Sequence, residues 1–194
     1  MTERVTALIL AGGRSSRFGR DKLAEPIGGR PMLDHVIERV RDVASDIVVV
    51  AAARTTPDVP ADVRVAHDDR PFEGPLAGLG VGLRAIDLGV ERVVVVGGDM
   101  PTVVPAVLAR LIAALDRREA GVLADDARTR PLPMAIRREV GTAAVDGLLD
   151  AGERRLRALL ERLDVEVIPY ETWLEDDPTG ESLRDVDAPD DLPG

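Results

Sequence analysis

Apolar positions along the chain follow two alternating rhythms, short solid runs and runs spaced three or four apart, and the alternation predicts its elements. Residues 5–10 (VTALIL) form a short apolar run that leads into Gly12 and Gly13, the pattern of a strand buried on both faces. A helix is predicted over 31–43, opened by Pro31, because Leu33, Val36, Ile37, Val40 and Val43 recur at helical spacing. Strands are predicted at 47–50 and 63–66, then a helix at 77–88 in spite of Gly80 and Gly82. The run VVVV within 92–96 is the strongest buried-strand signal. Over 102–117, Val104, Val107, Leu108, Leu111, Ile112 and Leu115 fall on one side of a helix. Strands at 121–124 and 132–136, helices at 138–149 and 153–163, and a last strand at 165–169 complete the series. PDVPAD at 57–62 and EDDPTGES at 175–182 read as surface loops.

Strands alternating with helices imply an α/β fold, a doubly wound and mainly parallel sheet covered by helices on both faces. With 194 residues and no repeat or linker, the expectation is a single domain over 1–194.

Composition narrows the chemistry. Aromatic residues are 2% of the chain, so aliphatic side chains must fill the core. No apolar run approaches the roughly 20 residues that span a bilayer. The start MTERVTALIL lacks a signal-peptide pattern, and the expected location is the cytoplasm. The absence of cysteine excludes disulfides and thiolate chemistry, and His35 and His67 are isolated, so a bound metal should be a hard cation held by carboxylates. The net charge is −10, and residues 171–194 hold nine acidic groups against Arg184 alone. Most of that stretch reads as a solvated acidic tail. With no basic stripe, a nucleic-acid polymer is not the expected partner. The chain has no Asn and no Gln, and Lys22 is the only lysine among 25 cationic residues.

Ligands of doubly wound sheets bind beyond the carboxyl ends of the strands. Three predicted strands end in unusual loops there: AGGRSSRFGRDK at 11–22, HDDRPFEGPLAG at 67–78 and GGDMP at 97–101. The first matches neither G-x-G-x-x-G nor G-x4-G-K-[ST]. Its glycines nevertheless let backbone N–H groups approach phosphate oxygens, and Arg14, Arg17, Arg20 and Lys22 cluster around them. A glycine turn with solvated arginines is the plain alternative. Asp99, at the end of the most hydrophobic strand, must be paired, hydrogen-bonded or bound to a metal. It reads either as a turn or cap residue before Pro101 or, together with Asp68 or Asp69, as part of a Mg²⁺–nucleotide site.

These residues resemble a family. LAGGRSSRFGRDK is similar to the signature of sugar-transferase-like nucleotidyltransferases. LAGG at 10–13 rather than LAAG, GPLAG at 74–78 and AGERRL at 151–156 narrow the resemblance to molybdenum cofactor guanylyltransferases, and GGDMP, RPLPMAI at 130–136 and DVDAPDDL at 185–192 extend it over nearly the whole chain. It implies a three-layer α/β/α Rossmann-like nucleotidyltransferase fold, and transfer of GMP from GTP to the phosphate of molybdopterin with Mg²⁺. It further implies that Leu10, Ala11, Gly12 and Gly13 meet the guanine nucleotide, Lys22 its phosphates, and Asp68 with Pro75, Leu76 and Gly78 the nucleoside. Asp99 would hold Mg²⁺, and Lys22, Arg17 and Asp99 would carry the catalysis. Arg154, Arg155, Asp185 and Asp187 would face the acceptor. GTP and molybdopterin are then the substrates, molybdenum cofactor biosynthesis or acceptor proteins are the expected protein partners, and neither nucleic acid nor membrane is involved.

Two departures stand out: Ala51 occupies a position where relatives often carry Asn, and so do Asp185 and Asp187. By composition alone, AGERRL reads as a helix start whose arginines face water. Two other functions fit the same motifs: a related nucleotidyltransferase using CTP or GTP with another phosphorylated acceptor, and a nucleotide-binding regulator without catalysis.

Overall fold

A computed structural model describes residues 4–12, 22–53, 55–68, 74–126, 128–186 and 191. Strand β1 (Val5–Leu10) lies inside the sheet, with Ala7, Leu8 and Ile9 fully buried. A small antiparallel pair comes next in the chain, β2 (Pro26–Ile27) and β3 (Arg30–Pro31). β1 is flanked on one side by β4 (Asp46–Ala52) and then β5 (Arg64–Asp68), and on the other by β6 (Arg92–Gly97), all parallel. Beyond β6 the sheet continues through β8 (Thr129–Arg137), which is antiparallel to both β6 and β7 (Ala120–Ala124), and ends at β9 (Val165–Ile168), parallel to β7. The order is β5-β4-β1-β6-β8-β7-β9.

Register places Ala7 between Ile47 and Val94, and Leu8 between Val48 and Val95. Alternate residues therefore load two different cores. Ala7, Ile9, Ile47, Val49, Val94 and Val96 pack on one face against α1 (Met32–Arg41) and α3 (Pro105–Ala114). Leu8, Val48, Val93 and Val95 pack on the other against α2 (Pro75–Ala85) and α4 (Arg138–Asp150). Strands buried on both sides explain the solid apolar runs. The result is the three-layer, mainly parallel α/β/α fold expected from the pattern.

The elements differ from the expected ones where side-chain or proline chemistry overrides apolar spacing. The helix expected at 102–117 is confined to Pro105–Ala114, because Pro105 opens it and Val104 is held extended before the proline. Pro31 lies before α1 and pairs with Pro26 in β3. The helix expected at 153–163 is reduced to the single turn α5 (Arg157–Leu160), since Glu153 captures the N–H groups of Arg154 and Arg155 with its carboxylate. Short 3-10 turns at Lys22–Ala24 and Glu181–Leu183, and the turn α6 (Tyr170–Trp173), have no counterpart in the apolar pattern.

In the acidic C-terminal stretch the described carboxylates are exposed or partly exposed as expected, except Asp177, which is buried. Trp173, Asp177, Ser182 and Val186 are all buried, so the segment folds back onto the molecule. Among the described residues, no helix is long and apolar enough to cross a membrane.

Candidate functional site

The carboxyl ends of β1, β4 and β6 are tied together by backbone. Ala11 N–H donates to Val50 O at 2.8 Å, and Gly98 N–H donates to Leu10 O at 3.0 Å. Two glycines at the end of β6 make room for Asp99 and for Leu23. A Cβ on Gly97 would lie 2.4 Å from Asp99 Oδ1, and one on Gly98 would lie 3.1 Å from Leu23 Cδ1. GGD therefore lets a carboxylate fold back against the strand end. Across from it, the 3-10 turn at Lys22–Ala24 delivers Lys22, whose Nζ donates to Asp99 Oδ2 at 2.9 Å. The Lys22 side chain is 12% exposed and that of Asp99 34%, so this charge-assisted bond lies at the rim of the sheet, open on the carboxylate side.

Leu10 and Ala11 are half-buried at the mouth of β1, and Gly12 is exposed beside the end of β4, its Cβ position 3.9 Å from Ala52 N. Asp68 closes β5 opposite Ala52, and Ala51 is buried in β4. Gly74, with φ of +88°, turns the chain into α2, where Pro75 takes the first turn and a Cβ on Gly78 would lie 3.8 Å from Val50. This brings the start of α2, with buried Leu76, over the end of β4.

The acceptor candidates occupy two places. Arg154 meets the nucleotide half through its backbone: its carbonyl accepts Leu76 N–H at 3.4 Å, while its guanidinium donates to Leu149 O and Glu153 O. Arg155 is held in a fork by Glu153, at 3.0 and 2.7 Å. The Arg155 guanidinium, followed by the N–H groups of Arg155 and Arg154, holds the Glu153 carboxyl far below the usual range. Asp185 pairs with Arg130 at 3.4 Å, and Arg130 also lies 3.6 Å from Asp125. Gly13, Arg17 and Asp187 lie outside the described residues.

The structure thus brings Leu10, Ala11, Lys22 and Asp99 together, and ties the start of α2 through the Leu76 N–H to the backbone of Arg154. Sequence reasoning missed Leu23, Glu153 and Val186. Val186 N–H donates to Asp99 O at 2.9 Å, and its side chain is buried with Ile27 and Met32 beside Leu23. Its apolar spacing carried no signal, because it stands alone between two aspartates.

Among the described residues, no three metal-ligating side chains converge. Asp99 presents its carboxylate, 34% exposed, at an open rim. That donor set fits a magnesium ion shared with phosphate oxygens, since Mg²⁺ takes one or two carboxylates and completes its shell with phosphate and water.

A doubly wound sheet with a lysine–carboxylate pair at the switch point between β1 and β6 defines an α/β protein of the kind that handles ligands beyond its strand ends. Residues 7–167 match the MobA-like NTP transferase domain, and the chain belongs to that family. A probable molybdenum cofactor guanylyltransferase of Chloroflexus aggregans is 33% identical over 195 residues, covering 97% of this chain and 91% of that protein. Two solved structures share the fold. Molybdopterin-guanine dinucleotide biosynthesis protein A from Archaeoglobus fulgidus superposes with a TM-score of 0.78 at 24% identity, covering 96% of this chain and 94% of the other. The 4-diphosphocytidyl-2C-methyl-D-erythritol synthase of Anaerococcus prevotii gives 0.72 at 17%, covering 98% and 95%.

Proposed function

We propose that the protein transfers GMP from GTP to the terminal phosphate of molybdopterin, forming the guanine dinucleotide and releasing pyrophosphate. The observation that carries this reading is the 33% identity, along 97% of the chain, to a relative described as a molybdenum cofactor guanylyltransferase. The fold alone does not select the base, since a cytidylyl enzyme superposes nearly as well.

In this reading an oxygen of the acceptor phosphate attacks the α-phosphorus of GTP. One P–O bond forms as the bond to the bridging oxygen of pyrophosphate breaks. The acceptor is already anionic and needs no general base. The chain's task is placement and neutralisation of charge. Lys22, released from Asp99 when phosphate arrives, sets its ammonium against the α-phosphate and the leaving pyrophosphate, and Arg17 adds charge from the same loop. Leu10 to Gly13 with Asp68, Pro75, Leu76 and Gly78 seat the nucleoside, and Arg154, Arg155, Asp185 and Asp187 face the pterin. Asp99 is the residue that would hold Mg²⁺, which supplies charge neutralisation on the phosphate oxygens when bound.

The test is incubation with Mg²⁺, GTP and molybdopterin, with mass detection of the product and parallel arms containing CTP or lacking acceptor. The expected product is the guanine dinucleotide, with pyrophosphate released only when acceptor is present. Product from CTP but not GTP would reassign the base. GTP binding with no product in either arm would leave a regulator.

A further inference from the structure

We infer that the C-terminal segment 177–186 is a strap that holds the Lys22–Asp99 pair in place, with Asp177 as its positioning residue. This rests on the proposed reaction only for the meaning of the pair. The strap itself is a matter of geometry. Asp177 is a carboxylate with 2% exposure inside an acid-rich stretch. Its Oδ2 accepts the Ser182 N–H at 2.7 Å and its Oδ1 accepts the Thr179 hydroxyl at 3.1 Å. Gly180, left-handed at φ +71°, lets the chain turn back tightly enough to make both bonds. The closed turn aims three groups at the loop that carries Asp99. Ser182 Oγ, fully buried, accepts Val104 N–H at 3.0 Å, and Glu181 O accepts the Thr102 hydroxyl at 3.0 Å. Val186 N–H then donates to Asp99 O at 2.9 Å.

The same segment reaches the other partner. The Val186 side chain, 1% exposed, packs with Ile27 and Met32, and Leu23 packs against that cluster immediately after Lys22. Leu23 in turn fills the space that Gly98 leaves open. One segment therefore fixes the carboxylate's backbone from one side and the lysine's turn from the other.

A buried carboxylate is a costly way to close a surface turn, because its desolvation must be offset by hydrogen bonds. Simple attachment of the tail does not require it, since Trp173 already anchors the chain through Nε1–H to Ala124 O at 2.8 Å. What Asp177 adds is a fixed direction for Ser182, Glu181 and, through them, the 99–104 loop. The strap also lies beyond residues 7–167, outside the matched family domain.

The single lysine supplies a direct readout. In protein labelled with ¹³C and ¹⁵N lysine, the side-chain signal belongs to Lys22 alone, and Asp99→Asn gives its position without the Asp99 carboxylate. We compare the full chain with Asp177→Asn and Ser182→Ala, measuring that signal, amide hydrogen exchange and steady-state kinetics. In both variants the Lys22 signal should move toward the Asp99→Asn position. Exchange in 97–104 should rise about tenfold with α2 and β4 unchanged. The value of kcat should fall about tenfold while KM for GTP stays within about twofold. A stationary Lys22 signal overturns the strap, as does exchange that rises equally in α2 and β4, which would make the tail a general stabiliser. Should the unaltered protein form no dinucleotide, the proposed reaction fails by itself, and the lysine signal and exchange pattern still decide the strap.

Discussion

Lys22 and Asp99 meet across 77 residues of chain, and their bond lies at the rim of the sheet. A partly exposed ion pair of this kind contributes about 0–1 kcal/mol. Lys22→Ala should therefore leave the thermal midpoint within a few degrees of the unaltered protein. Turnover should drop by about a hundredfold or more, because a preorganised charge aimed at developing phosphate charge has no substitute in water. Lys22→Arg should not restore it, since a planar fork cannot occupy the place of a compact ammonium turned toward one carboxylate oxygen. Melting curves and pyrophosphate release under saturating GTP and Mg²⁺ check both variants. Full turnover in Lys22→Ala would remove the lysine from the chemistry. Each residue stood out in the sequence by itself, one as the only lysine and the other as a charge ending a VVVV strand. Their pairing did not, because it depends on β1 and β6 being neighbours, which only the sheet order decides.

At the scale of elements, strands were the most legible part of the chain and helix ends the least. Strands buried on both faces are written as solid apolar runs, and β1 falls where the run places it. Helix ends are decided by single side chains that periodicity does not register, as with Pro105 before α3 and Glu153 before α5. Glycines show the same dependence on context. Gly74 has φ +88°, and a Cβ there would lie 2.8 Å from Arg154 O, against backbone that cannot swing away. Gly147 is within α4, exposed, with nothing within 4 Å of its Cβ position. Gly74→Ala should cost about 1–3 kcal/mol through left-handed strain and the displaced carbonyl. Gly147→Ala should add about 0.4–1 kcal/mol by restricting the unfolded chain and favouring the helix. Urea midpoints measure both, and equal effects of the two substitutions would contradict this account of the turn before α2.

Across the whole molecule, acidity is the property that composition made plain and whose distribution it concealed. Several carboxylates are built into the fold: Asp46 pairs with Arg64, Asp176 with Arg110, and Asp177 closes the turn beneath Ser182. Nothing in the sequence separates Asp177 from its acidic neighbours, because burial arises from the return of the tail onto the 99–104 loop. Burial pushes the Asp177 carboxyl up. Hydrogen bonds from the Ser182 N–H and hydroxyl, the Thr179 hydroxyl and the Glu181 N–H outweigh it and bring the pKa below the ordinary aspartate value. Asp46 is likewise lowered: burial raises it, but the Arg64 guanidinium and the Thr6 hydroxyl prevail. A carboxyl with a lower pKa folded than unfolded holds fewer protons in the folded state, so stability rises with pH across that interval. The contribution is complete above the unfolded value near about 4. It is lost as pH falls through the lowered folded value. Urea midpoints at neutral pH and at steps down through the acid range should fall once this window is entered. Asp177→Asn should be less stable than the unaltered protein at neutral pH, and the difference should narrow as the native carboxylate is protonated. A difference that stayed constant into acid would mean that the shape of the side chain, rather than its charge, stabilises the strap.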